Sequence, residues 1–97
     1  MGVDFLDMIF RTEKAFDLKV PRNGVDWGFL KYVERREPFD FTAEEYHRFI
    51  CDLLRQAGKT VPPGSWHRIK LILAQVTRTS PWEIHPETLA HKDLGFS

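Results

Sequence analysis

The sequence predicts an all-α domain, a small four-helix bundle. Three stretches, 3–16, 42–57 and 65–78, repeat apolar residues at intervals of three and four, the spacing that lines one face of a helix. The second of them is bracketed by start and stop signals. Prolines and glycines fall between these stretches and not within them, as helix breakers should. Three amphipathic helices must bury their apolar stripes against one another, which is the logic of a bundle. Ninety-seven residues are enough for one core and too few for two, so 1–97 reads as a single domain.

In the first stretch, Val3, Leu6, Ile9, Phe10 and Phe16 are read as the apolar stripe, with Asp4, Asp7, Arg11 and Lys14 between them. Its acids lie early, where the positive end of the helix dipole favours them. Val20 precedes Pro21 and is pushed out of helical geometry, so the helix should stop near Phe16. Pro21-Arg22-Asn23-Gly24 is a turn by residue type. A short, irregular helix is expected from about 26 to 34, ending before Pro38.

Thr42-Ala43-Glu44-Glu45 has the form of a capping box, in which the threonine oxygen and the Glu45 carboxylate each accept a free backbone N–H. Behind it Tyr46, Phe49, Ile50, Leu53, Leu54 and Ala57 form a stripe that Gly58 ends, and Leu53 is read as its centre. Lys59 to Gly64, with paired prolines, is a linker. Ser65 is placed to cap the next helix, whose stripe is Trp66, Ile69, Ile72, Leu73 and Val76. From Pro81 to Ser97 a loop is expected, pinned by Trp82, Ile84, Leu89, Leu94 and Phe96.

Composition narrows the function classes. The chain is 42% apolar and 29% charged, ordinary for a folded domain. Fourteen acids against fourteen bases give no net field to attract nucleic acid or an anionic membrane. No apolar run approaches the roughly 20 residues of a membrane span, and no secretion signal is visible, so a cytoplasmic address is expected. One cysteine, Cys51, is read as a partly buried thiol. The four histidines show no metal-ligand spacing, so no metal is expected. No nucleophile, base and orienting group can be assembled, so no catalytic residues are assigned and no enzyme is expected. The stretch 59–78 holds Lys59, Arg68, Lys70 and Arg78 without an acid, and is matched to the acids of 37–52 as a packing partner.

The two ends of the chain carry the most specific pattern. Ile84-His85-Pro86-Glu87-Thr88 leads to Asp93-Leu94-Gly95-Phe96-Ser97, and the start continues with Gly2-Val3-Asp4. Read tail into head, skipping Met1, this resembles the pre-helix loop and second helix of an acyl carrier protein, I-T-P-x-T followed by D-L-G-x-D-S-L-D. Thr42, Glu45, Tyr46, Phe49 and Ile50 resemble the T-V-x-D-L-x-x-Y-I helix that closes such domains. The resemblance implies a carrier bundle permuted at its prosthetic-group site, with helix order II-III-IV-I and residues 2 and 97 close together. It also implies a platform that catalyses nothing. At that site Gly2 stands where the modified serine belongs, and Ser97 where its preceding aspartate belongs.

The resemblance therefore implies a carrier-like domain without a phosphopantetheine arm, working as a protein-interaction module. The alternative is a functional acyl or peptidyl carrier in fatty-acid or polyketide-type biosynthesis, with 4'-phosphopantetheine on a displaced serine, Ser97. Partner proteins, with biosynthetic enzymes as the class suggested, would meet Asp4, Asp7, Met8 and Glu13 on the first helix, among which Arg11, Lys14 and Lys19 make the field mixed. A monomer and a domain-swapped dimer both satisfy the permuted order.

Overall fold

The computed structural model describes residues 3–21 and 28–97. Gly2, the turn beyond Pro21 and the first residues of the expected helix at 26–34 lie outside them. The described elements are α1 (Val3–Phe16), a 3-10 turn (Phe29–Tyr32), α2 (Ala43–Gln56), α3 (Ser65–Thr77), a second 3-10 turn (Pro81–Glu83) and α4 (Ala90–Leu94). Among the described residues there is no strand, only an isolated antiparallel bridge between Thr42 and Leu89. Helices α1 and α2 each pack on α3, and the Phe29–Tyr32 turn packs on α2. The all-α expectation holds, with the three long helices within a residue of their expected bounds.

The α2 start is built as the residue types dictate. Thr42 Oγ1 accepts the Glu45 N–H at 3.1 Å and Glu45 Oε1 accepts the Thr42 N–H at 2.7 Å. Two free donors at the helix start are satisfied at once. At α3 the cap differs from expectation. Gly64, at φ 82°, precedes the helix without a side-chain cap, and the Ser65 hydroxyl turns to His47 Nε2 at 2.8 Å.

Two stripes are rotated from their expected faces. In α1 the buried residues are Phe5, Met8, Ile9, Thr12 and Phe16, while Val3, Leu6 and Phe10 are at least half exposed. This helix carries apolar residues on two faces, and periodicity alone does not rank them. The aromatic Phe5 decides, because it packs on Phe29 and edge-on to Phe96. Thr12 can join the core because its hydroxyl donates to Met8 O and meets Tyr46 Oη at 2.8 Å, leaving no orphaned polar group.

In α2 the buried face is Ala43, Tyr46, Phe49, Ile50, Cys51 and Leu54, and Leu53 is only partly covered at its edge. The stripe centre is therefore Leu54, 2% exposed, and not Leu53. Leu54→Ala is expected to cost about 2–5 kcal/mol of unfolding free energy. Leu53→Ala should cost clearly less. Denaturant melts giving equal losses would place the centre of the core back at Leu53.

The segment from Pro81 to Ser97 is more ordered than a loop. Glu83 and Ser80 form a capping box around the 3-10 turn that Pro81 opens. Helix α4 is held from 50 residues away: the buried Asp40 carboxylate accepts the N–H groups of Phe41, His91 and Lys92 at 2.8–2.9 Å. A carboxylate at the start of a helix satisfies free amides and the positive dipole end together. Backbone bonds from Ala90 N to Phe41 O and from Ala43 N to Thr88 O fasten the same segment to the α2 entry.

Candidate functional site

The C-terminal residue Ser97 lies against the start of α1. Ser97 O accepts the Asp4 N–H at 3.1 Å, and Asp4 Oδ2 accepts the Ser97 N–H at 3.0 Å. The Ser97 hydroxyl lies 3.4 Å from the same carboxylate oxygen. Behind this clasp Phe96 is buried against Phe5 and Phe41. The His91 ring, through Nδ1, ties to Phe96 O at 2.8 Å. Ser97 thus supplies α1 with an acceptor for one of its first free N–H groups, the service a cap residue performs.

Beside the clasp opens a small apolar recess of about 170 Å³, walled by Pro38, Phe39, Phe41 and Phe96, with His91 and Ser97 at its rim. Asp40 also lines it, with its carboxylate already occupied by three N–H donors.

The four residues expected to meet partners do not form one face. Asp4 is engaged with Ser97. Asp7 pairs with Arg11 at 2.9 Å on the surface. Glu13 Oε2 accepts the Val20 N–H at 2.8 Å and so pins the chain that leaves α1. Met8 is fully buried, which corrects its expected place on the partner face. The apolar groups that α1 does present to solvent include Val3, 82% exposed, and Leu6, 50% exposed.

The cations of 59–78 also find other partners than expected. Lys59 donates to the Asp17 carbonyl and pairs with its carboxylate. Arg68 donates to Ala15 O and lies over the Phe16 ring, and Lys70 lies over Trp66. The acids of 37–52 are served instead by Arg36, which reaches Glu45, by Arg55, which reaches Asp52, and by the Tyr32 hydroxyl, which donates to Asp52. Charge matching between segments gave the wrong pairs because Arg36 and Tyr32 come from the irregular stretch between α1 and α2.

One cluster was readable and overlooked. His47 and Cys51 are four apart on α2, so they share a face, and Cys51 Sγ lies 3.3 Å from His47 Nε2. Burial pushes the Cys51 thiol up and the His47 imidazole down, so both stay neutral near pH 7. A raised thiol is the opposite of an activated nucleophile. Among the described residues no three of His, Cys, Asp and Glu converge as a metal site would need, and no helix is long and apolar enough to cross a membrane.

Comparison with protein-family models, with curated proteins and with solved structures finds no match for this chain.

Proposed function

We propose that the chain is a non-catalytic, carrier-like helical domain that acts as a protein-interaction module without a phosphopantetheine arm. The observation that carries this reading is the clasp of Ser97 onto Asp4. It joins the D-L-G-x end of the chain to the start of α1, as a permutation at the prosthetic-group site requires. The order of a long helix, a short turn and two long helices supports the same II-III-IV-I arrangement. Neither Gly2 nor the first turn of α1, Val3-Asp4-Phe5-Leu6, offers a hydroxyl to modify. The contact of Ser97 with α1 of the same chain supports a monomer over a domain-swapped dimer, because α1 needs no second copy to complete its start. A cytoplasmic place beside protein partners belongs to this reading.

A second reading has one observation in its favour. Ser97 is exposed and held at the start of α1, so a working acyl or peptidyl carrier could bear 4'-phosphopantetheine there. Against it, the Ser97 hydroxyl faces the Asp4 carboxylate at 3.4 Å, and a phosphodiester in its place would set two negative charges together.

Intact mass before and after incubation with a broad-specificity phosphopantetheinyl transferase and coenzyme A separates the two. The expected result is an unchanged mass while a known carrier in the same tube is modified. A gain of one phosphopantetheine on Ser97 would replace the first reading with the second.

A further inference from the structure

Arg68 on α3 faces Arg11 and Lys14 on α1. Between them runs an open cleft of about 310 Å³ floored by Ala15, Leu71 and Ile72. Leu71 is 37% exposed, a large aliphatic side chain with one side uncovered. Among the described residues no carboxylate lines the cleft.

Its cations are unequally engaged. Arg11 is held by Asp7 at 2.9 Å and by Gln75 at 3.1 Å, so it marks one end and is half neutralised. Arg68 is fixed by a carbonyl and by the Phe16 ring, contacts that position the guanidinium and leave its charge uncompensated. Among the described residues Lys14 makes no hydrogen bond or ion pair. The cleft therefore presents an apolar floor between two unneutralised cations, on a domain whose net charge is zero.

We infer that the α1–α3 cleft is the docking surface for an acidic amphipathic helix of a partner protein. An aliphatic or aromatic side chain of that helix would rest on Leu71 and Ala15, and its flanking carboxylates would meet Lys14 and Arg68. From Arg68 to Gln75 the cleft follows two turns of α3, about 10 Å, which fits two turns of a partner helix. Charge complementarity selects an acid over a base here, because a basic helix would bring its charges against Lys14 and Arg68. An apolar floor argues against a nucleic-acid backbone, which wants a continuous run of cations and no desolvated aliphatic surface. This inference rests on the interaction-module reading and gives the partner its chemistry.

The test is an amide-shift titration of the labelled, unmodified chain with two synthetic helical peptides. Both carry the same leucine stripe; one is flanked by glutamates and the other by lysines. The glutamate peptide is expected to bind, with shifts at 11–15 and 68–75, and the lysine peptide to bind at least about tenfold more weakly. Lys14→Glu, which removes no hydrogen bond or ion pair among the described residues, should weaken the glutamate peptide by about threefold or more, as reversal of an exposed ion pair does. Adding Arg68→Glu should weaken it further.

Equal binding of the two peptides, absence of binding, or an affinity unmoved by Lys14→Glu would overturn the inference. So would tighter binding of a short DNA duplex than of the glutamate peptide. Shifts confined to the outer face of α1 at Val3 and Leu6 would also overturn it, while leaving the interaction-module reading in place. That broader reading fails separately, through the mass gain on Ser97.

Discussion

Phe29→Ala is expected to lower the unfolding free energy by about 3–5 kcal/mol, from a total that for a domain of this size is roughly 5–15 kcal/mol. Phe29 is fully buried, and among the described residues its ring meets Phe41 and Tyr46 edge-on at centroid distances of 5.1 and 5.6 Å, Phe49 tilted at 5.3 Å and Phe5 at 6.5 Å. These rings come from α1, from the entry to α2 and from α2 itself. Removing Phe29 therefore opens a cavity where separate elements converge, and such a site cannot close without moving helices. Edge-on pairs add to the area term by about 0.5–1.5 kcal/mol each.

The control is Phe39→Ala. The chemistry is the same, but Phe39 is 40% exposed in the wall of the recess, and it should lose about 1 kcal/mol or less. Urea melts of the two variants decide the matter through their midpoints, provided the slopes match that of the parent. Similar losses for both would mean that the ring cluster is not the centre of the core.

Phe29 also marks the boundary of what was legible in the sequence. Helix α2 could be read almost to the residue, because its capping box, its stripe and Gly58 are all local signals that agree. Helix α1 could be placed but not oriented. Its two apolar faces are equally periodic, and the choice between them is made by rings at positions 29 and 96. The Phe29–Tyr32 turn has no period at all, so its role as the hub of the core had no local trace. Helix α4 was invisible for a different reason: a five-residue helix is not stable by propensity, and the Asp40 carboxylate that holds it lies 50 residues earlier. Of the two long-range pairings that the sequence suggested, the charge match between 59–78 and 37–52 failed, and the approach of residue 97 to residue 2 falls on Gly2, outside the described residues, beside the observed contact of Ser97 with Asp4.

Arg36→Ala is expected to cost about 2–4 kcal/mol near neutral pH, through the charge it leaves behind and not the one it removes. The Glu45 carboxylate is 5% exposed and receives Arg36 Nη1 at 2.9 Å, with Arg36 Nη2 at 3.3 Å. It also accepts the N–H groups of Thr42 and Glu34, at 2.7 and 3.0 Å. Burial alone would push this carboxyl up, but the guanidinium and the two backbone donors outweigh it and hold it below its ordinary value of 4.5. Without Arg36 the two backbone bonds survive, which keeps the cost under that of a wholly unpaired buried charge.

The sign of the pH dependence follows. A carboxyl depressed by folding contributes stability that is fully present above its unfolded value and is lost as pH falls through the folded one. In the parent, this contribution of Glu45 therefore disappears on the acid side of 4.5. In Arg36→Ala the buried carboxyl takes up its proton at higher pH, because burial then opposes ionisation with less against it. The stability gap between parent and variant should be widest near pH 7 and should narrow as pH falls on the acid side of 4.5, because a proton then removes the buried Glu45 charge that lacks its partner in the variant. Melts of the two proteins at both ends of that range measure it. A gap of constant size would assign the loss to packing of the arginine stem, since that alone is indifferent to the proton on Glu45.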